Sequence, residues 1–210
     1  MMRVLVTGFP PFPGRPENPS QRLVQAIHAG LLPLTDCELH AALLPVEYAG
    51  VELEFDRLFD AVGPDVWLAF GVGKQACPLR LERQGVNRDH SDRPDNSGCV
   101  RTESVIESAG PATRVVSTDV VGLQTELRSV GLPVELSDDA GTYVCNHLIY
   151  HARRRLSERG ADCEFVFIHL APPEFGLPVE KLLFTLQIMT AWFQNQQGGR
   201  DGQNRQLAAR

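Results

Sequence analysis

A cysteine, a histidine and a carboxylate stand out as residues that could act together: Cys145, His169 and Glu82. Cys145 falls at the start of a helical pattern in which Val144, Leu148 and Tyr150 or His151 recur at helical spacing. Arg153, Arg154 and Arg155 gather at its far end, where a helix C-terminus favours cations. An apolar run, Leu132 to Leu136, and a turn at Asp139-Ala140-Gly141 come before it, so the order is strand, turn, helix. A thiol in a first helical turn meets unsatisfied backbone N–H groups and the positive end of the dipole, which favour thiolate. That is a setting for a nucleophile. The alternative is a small buried hydrophobe packing helix on sheet. His169 is the last residue but one of the apolar run Cys163 to Leu170. It is either a satisfied core histidine or the base that activates the thiol from an adjacent strand end. Glu82, within Leu79-Arg80-Leu81-Glu82-Arg83, is either a surface ion-pair partner or the group that fixes the imidazole tautomer.

The elements that would position these groups alternate. Arg3 to Thr7 reads as a strand, followed by the ordered loop Gly8-Phe9-Pro10-Pro11-Phe12-Pro13-Gly14. Asn18 caps a helix that opens with Pro19 and carries Leu23, Val24 and Ile27 on one face. Glu38 to Val46 is a second strand, and Glu47 to Val62 a second helix with Val51, Phe55, Leu58, Phe59 and Val62 on one side. Asp65 to Phe70 is nearly continuously apolar, as a strand covered on both faces would be. Gly71-Val72-Gly73-Lys74 comes next; it lacks the third glycine of a dinucleotide fingerprint. Cys77 to Asn87 suggests a strand pair, Arg88 to Arg101 a long polar loop, and Val115-Val116 the start of another strand. Val120 to Val130 and Val179 to Phe193 read as helices. The expected fold class is α/β: a single-domain α/β/α sandwich over residues 1–195, with a twisted, mainly parallel sheet and a small antiparallel extension. Residues 196–210, rich in Gln, Gly and Arg, read as a flexible tail. In such sheets sites form at strand C-terminal ends. The Gly8 loop, the Gly71 loop, the Asp139–Cys145 turn and His169 all fall at such ends.

Bulk properties narrow the partners. With 210 residues, 43% hydrophobic and 22% charged, the chain can bury a sizeable core without staples. A formal net charge of −6 argues against nucleic acid as the main partner. The five cysteines, 37, 77, 99, 145 and 163, include no C-x-x-C pair and suit free thiols in a reducing compartment. No stretch approaches membrane-spanning length, and the N-terminus lacks the apolar core of a signal peptide. A cytoplasmic location is expected.

Several motifs in one order carry a resemblance. They are Val-Thr-Gly-Phe-Pro-Pro-Phe at 6–12 with Asn18-Pro19-Ser20, Leu-Pro-Val-Glu-Tyr at 44–48, Leu-Glu-Arg at 81–83 with Asn87, and Pro-Asp-Asn-Ser-Gly at 94–98. Ser-Asp-Asp-Ala-Gly-Thr-Tyr-Val-Cys-Asn at 137–146 and Phe-Ile-His at 167–169 complete the set. With these the chain resembles the pyroglutamyl peptidase I (pyrrolidone-carboxylate peptidase) family, cysteine peptidases with an α/β fold of their own. The resemblance implies removal of an N-terminal pyroglutamate from peptides through a thioester, with Cys145 as nucleophile, His169 as base and Glu82 as orienter. It implies no metal and no organic cofactor. A pocket of Phe9, Phe12, Tyr143 and Val144 would take the uncharged lactam and reject an ammonium, whose burial costs several kcal/mol. Backbone groups of the Phe9 and Gly71-Val72 loops would meet the lactam N–H and C=O, with Asn18 supporting the first loop. Bacterial relatives often form tetramers, so a homotetramer is implied too.

The chain also departs from the family pattern. Val72 stands where many bacterial members carry Gln, Asp92 where they carry the Arg linked to the oxyanion region, with Arg93 one position on, and Pro13 replaces a loop Gly. A weakly active or inactive relative that binds pyroglutamyl peptides or free pyroglutamate is therefore the alternative. A nucleoside-phosphorylase-like enzyme is the other, but no convincing anion loop or basic cluster supports it.

Overall fold

The computed structural model describes residues 1–32, 34 and 36–208, with side chains described up to residue 198. The elements in order are β1 (Met2–Gly8), α1 (Pro19–His28), β2 (Cys37–Leu43), α2 (Tyr48–Val62), β3 (Val66–Val72), β4 (Leu79–Glu82) and β5 (Gln84–Val86). Next come β6 (Asp89–Ser91), β7 (Arg101–Ser104), β8 (Thr113–Val115), α3 (Val120–Ser129), β9 (Val134–Ser137), α4 (Val144–Glu158), β10 (Glu164–Leu170) and α5 (Val179–Ala208). α5 runs past residue 195, where the sequence pattern ends the domain; the last two residues of the expected tail lie outside the described residues.

A six-stranded sheet of order β2-β1-β3-β10-β4-β9 organises the molecule. Its first four strands are parallel. β3 is buried along its whole length, as its unbroken apolar run requires. α5 packs on both α1 and α3, and α2 packs on α4, giving the expected layers around the sheet. The core is continuous across them: the Phe55 ring of α2 stacks on Trp67 of β3 at 4.4 Å between centroids, and Trp67 Nε1 donates to Thr7 Oγ1 at 2.9 Å.

The antiparallel part differs from the sequence expectation. β4 and β5 do not pair with each other, because the one intervening residue, Arg83, cannot turn a hairpin. Instead β4 pairs antiparallel with β10 and parallel with β9. Only residues 73–78 join β3 to β4, too few for a parallel crossover, so the chain must return antiparallel. β9 consequently runs against the first four strands, and Ser137 lies level with Glu82 and Phe167 rather than at the common strand edge. The polar stretch expected as a loop over 88–101 holds β6, which forms a hairpin with β7. β5 pairs with the short β8.

Candidate active site

The first wall of the site is the loop after β1, and its shape derives from α1. Asn18 accepts from Ser20 N at 3.2 Å as the N-cap, and its Nδ2 donates to Pro10 O at 3.2 Å. Ser20 Oγ accepts from Phe9 N at 2.9 Å. A Cβ on Gly8 would stand 2.4 Å from Ser20 O, so only glycine lets the strand end approach the helix this closely. Thus Asn18 supports the loop from behind while Phe9 and Phe12 line a cavity of about 480 Å3.

Cys145 is the second residue of α4, after Val144, and Tyr143 stands at the N-cap without a side-chain capping bond. The first intrahelical bond is His147 N to Tyr143 O, at 3.1 Å, which leaves the N–H groups of Val144, Cys145 and Asn146 without helical carbonyls. Cys145 is half-buried, with its sulfur 3.1 Å from where a Cβ on Gly71 would sit. Gly71 is the register partner of His169 on the next strand, so sulfur and imidazole are neighbours. His169 Nδ1 meets Glu82 Oε1 at 2.7 Å, which leaves Nε2 for the sulfur. Burial opposes the imidazolium, but the neighbouring Cys145 first and then Glu82 outweigh this and push His169 up to about 9. Glu82 is fully buried on β4, two register positions from the strand pair of Arg80 and His169.

The remaining expected residues converge on the same cavity. Val72, Tyr143, Val144, Cys145 and His169 line it with Phe9, Phe12 and Asn18, while Glu82 sits behind His169. The Phe12 and Tyr143 rings lie 5.9 Å apart, and Tyr143 Oη donates to Pro94 O at 2.9 Å. Burial first, then nearby carboxylate and thiol charge, push the Tyr143 phenol up to about 12, so it is a neutral wall.

Sequence similarity agrees with the geometry. The model of the pyroglutamyl peptidase family matches residues 2–175. The chain belongs to the pyroglutamyl peptidase family. Among relatives, a pyrrolidone-carboxylate peptidase of Chromobacterium violaceum is 34% identical over 170 residues, covering 81% of this chain and 78% of its own. Among solved structures, Bacillus amyloliquefaciens pyroglutamyl peptidase I has a TM-score of 0.81 at 25% identity, with 90% of this chain and 94% of the other covered. The pyrrolidone carboxyl peptidase of Fervidobacterium islandicum shares the fold at a TM-score of 0.84 and 24% identity, over 93% and 99% of the two chains.

Within this member of the pyroglutamyl peptidase family, sequence reasoning missed the groups around Cys145, His169 and Glu82. Arg80 Nη2 lies 3.4 Å from Glu82 Oε1, donates to Asp139 O at 2.9 Å and also bonds Ser137 Oγ. The period-2 alternation of Leu79–Glu82 puts Arg80 and Glu82 on one face and could have found it. A second cluster lies behind α4. His147 Nδ1 meets Asp89 Oδ2 at 2.8 Å and its Nε2 meets Glu52 Oε1 at 3.0 Å. Arg101 Nη1 donates to the same Asp89 oxygen at 2.7 Å. No local pattern announces this cluster, because its members come from α2, β6, β7 and α4.

Proposed function

We propose that this chain hydrolyses the bond after an N-terminal pyroglutamate of peptides, with Cys145 as nucleophile, His169 as general base and acid, and Glu82 as the group that orients the imidazole. The observation that carries the reading is the chain of contacts from buried Glu82 through His169 to Cys145, ending at an aromatic cavity. The sulfur attacks the pyroglutamyl carbonyl as thiolate. The free N–H groups at the start of α4 can hold the developing oxyanion. Imidazolium at His169 protonates the leaving amine, and the neutral ring then draws a proton from water to open the thioester. Glu82 keeps Nδ1 occupied throughout and stabilises the imidazolium.

Phe9, Phe12, Tyr143 and Val144 hold the faces of the lactam ring, and the apolar Val72 leaves backbone groups of its loop to meet the lactam edge. Asn18 acts through the loop it supports. Residues 1–195 act as one peptidase domain on pyroglutamyl peptides rather than on nucleic acid. The five thiols, all free, suit a cytoplasmic location, and a homotetramer is the expected assembly.

Turnover of a pyroglutamyl chromogenic amide by the wild-type protein, abolished in Cys145→Ala, is the expected result. Iodoacetamide should label Cys145 selectively among the five thiols and be blocked by pyroglutamate. An inert wild-type protein that still binds free pyroglutamate would overturn catalysis and leave a binding module.

A further inference from the structure

Most cations of this chain are engaged. Among the described residues, Arg3, Arg22, Arg57, Arg80, Arg83, Arg88, Arg101, Arg114, Arg154, Arg155 and Arg159 each pair with a carboxylate. Arg128 and Arg153 bond backbone carbonyls, and Lys181 lies over the Phe184 ring. Three others, Arg15, Lys74 and Arg93, have neither an ion pair nor a side-chain hydrogen bond among the described residues. All three line the catalytic cavity, in a chain whose net charge is −6.

They come from three separate loops, and each is anchored to the site. Arg15 exchanges two backbone bonds with Phe12, at 3.1 and 2.8 Å. Lys74 comes directly after Gly73, whose Cβ position would be 3.4 Å from His169 Cβ. Arg93 Nη1 lies 3.5 Å from the Cβ position of Gly14. Two carboxylates share the rim: Asp139, whose Oδ1 accepts from Gly141 N, and Asp92, which has no ion pair among the described residues. The balance of these five is one positive charge. The ring-binding end of the cavity is aromatic and takes an uncharged lactam, so the cations border the space left for the next residue of the peptide.

Resting on the peptidase reading, we infer that the cavity mouth is a leaving-group subsite that favours a carboxylate just after pyroglutamate. The carboxylate is either an acidic side chain on that residue or the free C-terminus of a dipeptide. Arg15, Lys74 and Arg93 attract it through partly solvated contacts, and Asp92 opposes them. Exposed pairs of this kind are individually weak and screened by salt, so the preference is modest and falls with ionic strength.

The test compares two matched pairs of substrates at low and high salt. Pyroglutamyl-Glu-amide against pyroglutamyl-Gln-amide isolates the side-chain charge; pyroglutamyl-Ala against pyroglutamyl-Ala-amide isolates the terminal carboxylate. The expected result is a kcat/KM ratio of about threefold to tenfold for the charged member of at least one pair at low salt. That ratio falls towards one in about 0.5 M salt and in Lys74→Gln and Arg93→Gln, and rises in Asp92→Asn. The pair that shows it identifies the source of the carboxylate. Ratios of one or below at low salt, with the amides still cleaved, would overturn the subsite alone. Failure to cleave any of the four would overturn the peptidase reading and the subsite with it.

Discussion

Glu82 is buried with one oxygen on His169 and the other, Oε2, without a partner among the described residues. A neutral amide at this position cannot stabilise the imidazolium, and its N–H can hold the ring in the wrong tautomer. Glu82→Gln is expected to lower kcat by roughly two to four orders of magnitude with little change in KM, as judged by steady-state kinetics on a pyroglutamyl amide. Gly71 is a second test at this scale. Its absent side chain leaves room for the Phe167 ring and for the proposed nucleophile, since a Cβ would stand 2.9 Å from Phe167 Cζ and 3.1 Å from Cys145 Sγ. Gly71→Ala must displace the Phe167 ring and push the sulfur by a few tenths of an ångström, so kcat/KM should fall severalfold, short of the roughly hundredfold cost of a 1 Å misplacement. A kcat/KM within about twofold of wild type would show that the sulfur is not held there. Local pattern (a helix start, a strand end and a Leu-Arg-Leu-Glu-Arg run) made Cys145, His169 and Glu82 candidates, and the ordered motifs of the family resemblance chose among the readings each left open. The Gly71 requirement was not legible, because it arises from a contact between β3 and α4 that no local spacing encodes.

The elements are fixed to each other largely through α4. Asn146 accepts from Val86 N at 2.7 Å and donates to Val86 O and Arg88 O at 3.0 and 2.9 Å, tying α4 to the strand that leads to the hairpin. His147, the next residue, bridges Asp89 of β6 and Glu52 of α2. From the packed elements it also faces the Tyr48 ring, at 5.4 Å, and Arg101, which shares Asp89; His151 Nδ1 lies 3.3 Å from Glu52 Oε1 and 3.1 Å from Arg154 Nη2. Burial disfavours the His147 imidazolium, but the hydrogen bonds and charges of Asp89 and Glu52 win and raise its pKa above the usual 6.5. A group whose folded pKa is raised adds stability that is fully present below the unfolded pKa and fades as pH climbs through the folded one. Wild-type melting temperature should therefore fall as pH rises above about 6.5, and His147→Gln should flatten that slope. At about pH 6 the same variant should lose on the order of 3 kcal/mol, because a buried charge pair is broken on one side. Equal slopes in the two proteins would remove His147 as the source. The β6–β7 hairpin was illegible for the same reason as this cluster. Its polar residues look like a solvated loop, and Asp89 is buried because it pairs with His147 of α4, distant in sequence, and with Arg101 of β7.

At the scale of the molecule, the sheet is closed on one side by α1, α3 and α5, and α5 contributes the residues that seal it. Leu182, Leu186, Met189 and Phe193 are buried at helical spacing against that layer. Alternating elements and the apolar stripe of 179–193 were enough to expect helices on both faces of the sheet, but not which helices share a face, and the reversal of β9 depended on the short link between β3 and β4. Phe193 is the last buried side chain among those described, and beyond it the Gln- and Gly-rich segment offers little apolar surface to pack. Residues up to 195 are therefore expected to suffice for the fold. Deleting 196–210 should leave the melting temperature within about 2 °C of the full chain, a loss below about 1 kcal/mol for a protein of this size. Phe193→Ala should cost about 3–5 kcal/mol by comparison, which is roughly 6–20 °C. Thermal melts of the two variants beside the full chain decide the point. A truncation that melts as low as Phe193→Ala would mean that the helical segment beyond 195 carries part of the core after all.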